Sequence, residues 1–247
     1  MLEHIYCAIL AGGKGSRMGN IEKPKQFMNI GGRPIIVHTV EKFAVHDEFE
    51  KIIVLSPKAW IAHTQDLIRK YIPQALQEKI VVIQGGASRN DTVMNAVKYI
   101  EENGTFDEDT IIVTHDSVRP FVSHRIIEEN IAAVRQCGAC DTVVPATDTI
   151  VESRDHKMIS SIPDRSLMYQ GQTPQSFKAK KLKDLFNSLT EEEKNILTDA
   201  CKIMVMKGED VSLVMGDAGN IKITYPEDLR MAQALYAGQE AGEEGGM

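Results

Sequence analysis

Cysteine, basic excess and long apolar runs are all missing or scarce in this chain. Four cysteines in 247 residues cannot form the dense bridge framework of a disulfide scaffold, so a reducing compartment is expected. No apolar run approaches the roughly 20 residues needed to span a bilayer. The N-terminus has no basic region followed by a long enough apolar segment, and Ile5–Leu10 is too short for a signal peptide. These features together predict a cytoplasmic protein with no membrane partner. The net charge is −7 with a pI near 5.6, which argues against a general nucleic-acid surface.

The charge that is present is unevenly placed. Lys14, Arg17, Lys23, Lys25 and Arg33 crowd one short stretch, with Glu22 the only acid between Lys14 and Arg33. That stretch is AGGKGSRMG, followed by PKQF, and the apolar run Ile5–Leu10 leads straight into it. Glycines where a buried strand ends let backbone N–H groups close on a phosphate with no Cβ in the way. Arg17 and Lys25 add cations at the same place, and the combination describes a triphosphate site. It is not the dinucleotide pattern, which needs glycine where Met18 stands, nor a P-loop, which needs Gly-Lys-Ser/Thr after a four-residue gap. A nicotinamide-dependent reductase is disfavoured for the first reason.

Further along, apolar β-rich runs (Ile5–Leu10, Lys51–Leu55, Ile80–Ile83, Thr110–Thr114, Thr142–Pro145) alternate with helical patterns near Ile35–Phe43, Trp60–Tyr71, Thr92–Glu102 and His124–Arg135. Uniformly apolar strands separated by helices predict an α/β fold, a mostly parallel sheet covered on both faces. In such sheets ligands collect at the carboxyl ends of strands, where the Gly-rich loop, Gly85-Gly86 and His115-Asp116 all fall. Beyond Thr149 the pattern changes. Thr149–Glu152 and Met158–Ile162 read as two short strands of a projecting β-arm spanning about 149–172. Gln172-Thr173-Pro174-Gln175 reads as a polar turn. Helical segments at Ala179–Leu189 and Thr198–Lys207 follow, then a strand at Val211–Met215 and a helix from Pro226 to Tyr236. Residues 1–237 form one domain, and 238–247 a flexible acidic tail.

Three further groups can carry chemistry. Gly85-Gly86-Ala87-Ser88-Arg89-Asn90-Asp91-Thr92 is a second glycine turn entering a helix, whose free N–H groups suit a nucleotide. Its Ser88, Asn90 and Thr92 could read a base or ribose, while Ser88 and Asp91 are equally common helix-cap residues. Asp116 leaves a strand beside Arg119, a place suited to Mg²⁺, which prefers oxygen ligands and keeps several waters. Arg119 could instead only hold that carboxylate, and His115 reads as packed beneath the loop. Cys137-Gly-Ala-Cys140 spells C-x-x-C, but with no second ligand pair it reads as small residues joining a helix to a strand.

The segments LAGGKGSRMG, PKQF, PIIVHTV, GGASRND, HDSVRPF, DTI, DRS, QTPQSF, TDA and NIKITYPEDL run in order from Leu10 to Leu229. As a set they resemble the cytidylyltransferases that couple CTP to a polyol phosphate, the IspD/TarI family. The resemblance implies a Rossmann-like three-layer sandwich of the nucleotide-diphospho-sugar transferase type. It implies Arg17 and Lys25 as catalytic charge stabilisers. Leu10, Ala11, Gly12, Gly13, Gly85, Gly86, Ala87, Ser88, Arg89, Asn90, Asp91 and Ser117 would bind CTP. Asp116 would assist Mg²⁺, and Arg165, Lys222, Thr149 and Thr173 would position the polyol phosphate. It further implies a homodimer in which the arm carries Thr149 and Arg165 into the neighbour's site, and a possible partner reductase supplying the substrate. HDSVRPF stands where the isoprenoid branch usually has HDAARPF, and MYQGQTPQSF where it usually has Trp and AQTPQ. LTDACKI likewise replaces TDDAS. These details favour the ribitol 5-phosphate branch of surface-polymer synthesis over the methylerythritol phosphate branch. A CTP sensor without turnover is the contrasting reading, disfavoured because the full set of cations is retained.

Overall fold

The computed structural model describes residues 3–13 and 23–244, with side chains to residue 238. The elements are β1 (Ile5–Leu10), β2 (Asn29–Ile30), β3 (Arg33–Pro34), α1 (Ile35–Ala44), β4 (Phe49–Ser56), α2 (Ile61–Tyr71), α3 (Gln74–Gln77), β5 (Ile80–Gln84), α4 (Arg89–Asn103), β6 (Ile111–Asp116), α5 (His124–Cys137) and β7 (Ala139–Pro145). The second half adds β8 (Tyr169–Lys178), α6 (Ala179–Asn187), α7 (Glu191–Asn195), α8 (Ala200–Met206), β9 (Ser212–Met215) and α9 (Pro226–Glu244).

Successive side chains of a strand face opposite sides of its sheet, and β1 shows the consequence. Ile5, Cys7 and Ile9 pack with α1, α2 and α5, whereas Tyr6 and Ala8 pack with α4, α6 and α8. Both faces are therefore apolar and both are covered, giving a three-layer sandwich. The main sheet has seven strands in the order β5-β4-β1-β6-β8-β7-β9. Its pairings are parallel except those of β8, which runs antiparallel to β6 and β7. The chain travels outward from β1 to β5, then crosses back to β6 on the other side of β1. This order reversal makes the ends of β1 and β6 a topological switch point, and Leu10 lies in register with Asp116 there.

The strand β8 corrects the sequence reading at Gln172–Gln175. These residues are the middle of a strand, with Thr173, Gln175 and Ser176 buried. The segment escapes an apolar-pattern reading because its polar groups are paired inside the protein. Thr114 Oγ1 donates to the Gln175 carbonyl at 3.1 Å, and Ser176 Oγ donates to Asn130 Oδ1 at 3.1 Å. A second difference concerns the arm. Residues 146–168 leave the sheet between β7 and β8, but the two expected strands reduce to one antiparallel bridge, Glu152 with Ser161. A third is that α9 continues to Glu244 past Gly238, where a loose tail was expected. Gln, Glu and Ala are good helix formers, which offsets the scattered glycines there.

A smaller cluster caps the front of the sheet. Ile30, Ile35, Val118, Ile223 and Ala232 join the β2-β3 hairpin to α9. Gly31 turns that hairpin at φ +54°, and the Tyr236 ring lies where a side chain at 31 would stand. In the C-x-x-C stretch, Cys137 ends α5, Gly138 caps it in the left-handed region, and Cys140 is buried in β7. All four cysteines are free.

Candidate active site

At the switch point lies a cavity of about 530 Å³, lined by residues of four segments that the fold gathers: 10–13 with 25–26, 86–92, 116–118, and Lys222. The first wall is the Gly-rich loop. Ala11 N–H donates to the Leu55 carbonyl at 2.9 Å, which fixes where the loop departs. Gln26 Nε2 donates to the Ala11 carbonyl at 2.7 Å, which fixes where it returns. Pro24 opens a short 3-10 turn over Lys25–Phe27, and Phe27 packs against Trp60 and His63 at centroid distances of 5.0 and 4.9 Å. These contacts hold Lys25 as a nearly buried cation in the cavity wall. Leu10, Gly12 and Gly13 line the same wall, while Ala11 is buried behind it. Arg17 lies outside the described residues.

The second wall is the start of α4. Ser88 and Asp91 form a reciprocal capping box, Asp91 N–H to Ser88 Oγ at 3.1 Å and Ser88 N–H to Asp91 Oδ2 at 3.0 Å. The cap reading therefore holds for this pair, and the Asp91 carboxylate is occupied within the loop. Thr92 Oγ1 accepts from Gly86 N–H at 3.0 Å and donates to the Ser88 carbonyl at 2.8 Å, closing the turn. A Cβ on Gly86 would strike the Asp91 backbone, so only glycine fits. Gly86, Ala87, Ser88 and Arg89 reach the cavity. Gly85 is held behind it by a bond from its N–H to the Ser56 carbonyl at 2.9 Å, and Asn90 is buried on α4.

The floor is Asp116, with Ser117 beside it. Three cations surround its carboxylate: Lys222 Nζ at 2.9 Å, Arg119 Nε at 3.5 Å and Arg89 Nη2 at 3.6 Å. Burial alone would raise this carboxyl, but the guanidinium of Arg89, the Lys222 ammonium and Arg119 outweigh it and hold Asp116 well below the usual carboxylate range. Beneath it, Thr173 Oγ1 accepts from Asp116 N–H at 3.2 Å and lies 2.9 Å from His115 Nδ1. His115 Nε2 lies 3.0 Å from the Arg119 carbonyl, a pure acceptor, so the proton sits on Nε2 and Thr173 donates to Nδ1. Burial pushes the His115 imidazole down to about 4, and it serves as packing under the loop. Arg119 Nη1 also donates to the Asn220 carbonyl at 2.7 Å, and Asn220 Nδ2 donates to the Thr173 carbonyl at 2.8 Å. The segment carrying Lys222 is thereby tied to the turn after β6 and to the middle of β8.

Thr173 thus supports the cavity from below rather than lining it. Thr149 and Arg165 are exposed on the arm and are not among the lining residues of their own chain. Arg165 Nη1 donates to the Thr147 carbonyl at 3.0 Å. Gln26 and Val118 line the cavity without having been assigned to it from the sequence, and Thr92, read as a candidate for the base or ribose, lines it too. The signal for Gln26 was PKQF itself.

Among the described residues no group of three or more His, Cys, Asp or Glu side chains is placed to hold a metal ion. Asp116 supplies one hard carboxylate at the floor. That donor set fits a divalent cation carried by a triphosphate, with phosphate and water as the other ligands. No helix among these residues is long and apolar enough to cross a membrane.

A strand-end Gly-rich loop, a helix start and a clasped carboxylate at the switch point of this sheet define an α/β nucleotidyltransferase. The model of the 2-C-methyl-D-erythritol 4-phosphate cytidylyltransferase (IspD) family matches residues 5–237, and the chain belongs to that family. Among solved structures, 4-diphosphocytidyl-2C-methyl-D-erythritol synthase from Anaerococcus prevotii DSM 20548 is 26% identical, with a TM-score of 0.76 over 94% of this chain and 96% of that one. The 2-C-methyl-D-erythritol 4-phosphate cytidylyltransferase of Francisella tularensis is 27% identical, with a TM-score of 0.76 over 94% of this chain and 99% of that one. The enzyme of the same name from Thermus thermophilus is 25% identical, with a TM-score of 0.68 over 96% of this chain and all (100%) of that one. The chain is a cytidylyltransferase that uses CTP.

Behind Arg89 lies a second carboxyl, Asp141 on β7. Burial pushes it up to about 6, the Gln175 amide opposes the rise, and Asp199 adds to it. An acid whose folded pKa exceeds its unfolded value near 3.8 takes up its proton first in the folded state as pH falls. Its ionisation therefore costs stability above about pH 6, and the cost disappears as pH falls from about 6 toward 3.8. Asp141→Asn should raise the melting temperature relative to wild type more at pH 8 than at pH 4.5. An equal difference at both pH values would show that Asp141 titrates normally.

Proposed function

We propose that this enzyme transfers the cytidylyl group of CTP to 2-C-methyl-D-erythritol 4-phosphate and releases pyrophosphate. The observation that carries the transfer is the clasped Asp116 at the floor of a cavity walled by Lys25, the Gly12-Gly13 backbone and the α4 start. The acceptor rests on the family match and on the acceptor named in the solved relatives. In the reaction an oxygen of the acceptor phosphate attacks the α-phosphorus of CTP in line. The bond from that phosphorus to the β-phosphate bridge breaks, and the electron pair leaves with pyrophosphate. Two highly charged reactants make positioning and charge neutralisation the main tasks. Lys25, joined by Arg17, stabilises charge on the departing pyrophosphate. Leu10, the Gly12-Gly13 backbone and the 86–89 turn, with Ser117, hold the nucleotide, and Ala11, Gly85, Asn90 and Asp91 fix those walls from behind. Lys222, Arg165 and Thr149 present the polyol phosphate, and Thr173 supports them from below by holding the Asp116 backbone. A divalent cation held by Asp116 and the phosphates would supply further charge neutralisation.

A second acceptor, ribitol 5-phosphate, is favoured by Ser117, whose residue lines the cavity where the isoprenoid branch usually carries alanine. The test is pyrophosphate release with CTP, Mg²⁺ and each polyol phosphate in parallel. Turnover with the methylerythritol compound supports the proposal. Preference for ribitol 5-phosphate would transfer the enzyme to the other branch, and CTP binding without turnover on either acceptor would contradict both.

The site is completed by a second copy of the chain. Met158, Ile159, Ile162 and Leu167 on the arm are 61–71% exposed, an apolar surface suited to burial against a partner. Arg165 and Thr149 lie on the same arm, away from their own cavity. Sedimentation should give twice the 27.5 kDa chain mass. A 27.5 kDa species with full activity would remove Arg165 and Thr149 from the mechanism.

A further inference from the structure

Arg89 is held in the cavity wall by less than its charge suggests. Its Nη2 stands 3.6 Å from Asp116 Oδ1, too long for a hydrogen bond, and its Nη1 is buried with no hydrogen-bond partner among the described residues. What orients the guanidinium is Gln175 on β8, whose Oε1 accepts from Nη2 at 3.3 Å. Gln175 is itself 2% exposed, and its Nε2 donates to Asp141 Oδ1 at 3.1 Å. A carboxylate on one side only accepts and a guanidinium on the other only donates, so a single orientation of the amide satisfies both. The backbone is equally fixed, since Gln175 lies opposite Thr114 of β6 and Asp141 of β7. The TDA motif enters here as well: Asp199 caps α8 and its charge bears on Asp141.

The geometry points to Gln175 as a positioning residue for the nucleotide, held from behind by Asp141 and fixing Arg89 so that its buried Nη1 donates to an oxygen of bound CTP. A buried cationic donor without an acceptor is costly, and a ligand oxygen would satisfy it. This inference rests on the reading of the cavity as the CTP site.

A double-mutant cycle on the whole chain separates a positioning role of Gln175 acting through Arg89 from a merely structural one. CTP dissociation constants would be measured by calorimetry for wild type, Gln175→Met, Arg89→Met and the double variant, with melting temperatures alongside. Gln175→Met should weaken CTP binding about tenfold, the scale of one hydrogen bond to a charged group. In the Arg89→Met background the same change should alter it by less than about twofold. Should Gln175→Met not fold, Asp141→Ala, which removes the support and leaves the amide, should weaken binding about threefold and only when Arg89 is present. Equal weakening with and without Arg89 would overturn the positioning role while leaving the CTP site intact. No binding of CTP to wild type would overturn the CTP-site reading and the inference with it.

Discussion

The structure of this site depends on one carboxylate. Asp116 ends the central strand β6 at the point where strand order reverses, and three cations from three separate segments converge on it. Arg89 comes from the start of α4, Arg119 from the turn after β6, and Lys222 from the segment ahead of α9. Taking a carboxylate and its cations out of water costs several kcal/mol per ion, so the arrangement holds only if each charge is compensated. The depressed Asp116 pKa says that the cations do so. The consequence reaches past electrostatics, because the ion cluster sets where the helix start and the Lys222 segment stand relative to the Gly-rich loop.

Around that cluster the protein uses backbone and amide groups rather than further charge. Gln26 ties the two ends of the first loop, Thr92 closes the second, and Asn220 ties the Lys222 segment to β8. Each is a side chain bonded to backbone, rigid and without charge of its own. Cationic groups and helix-start N–H groups are thereby left facing the cavity, which is the chemistry that a triphosphate requires. Preorganised donors of this kind need little rearrangement when charge moves during phosphoryl transfer.

Much of this was legible in the residues. The apolar runs Ile5–Leu10 and Lys51–Leu55 could only be buried parallel strands, and Gly12-Gly13, Gly85-Gly86 and Asp116 fell at strand ends as an α/β sheet demands. The strand β8 was not legible, because Thr173, Gln175 and Ser176 are polar and their burial depends on partners remote in sequence. For the same reason Gln175 passed as part of a turn, although it lies between Arg89 and Asp141. Thr173 was assigned to the substrate, yet its hydroxyl is engaged with the Asp116 backbone and His115. Local pattern reports which face is apolar. It does not report which buried polar groups find one another.

The most direct test of this account is the urea unfolding free energy of Asp116→Asn against wild type. If the carboxylate holds the three cations in place, its neutral isostere leaves the nearly buried Arg119 and the partly buried Arg89 and Lys222 crowded together without their counter-charge. Stability should then fall by about 3 to 5 kcal/mol, the cost of breaking a buried ion pair. A value within about 0.5 kcal/mol of wild type, as for a surface substitution, would show that the site is held together by something other than Asp116.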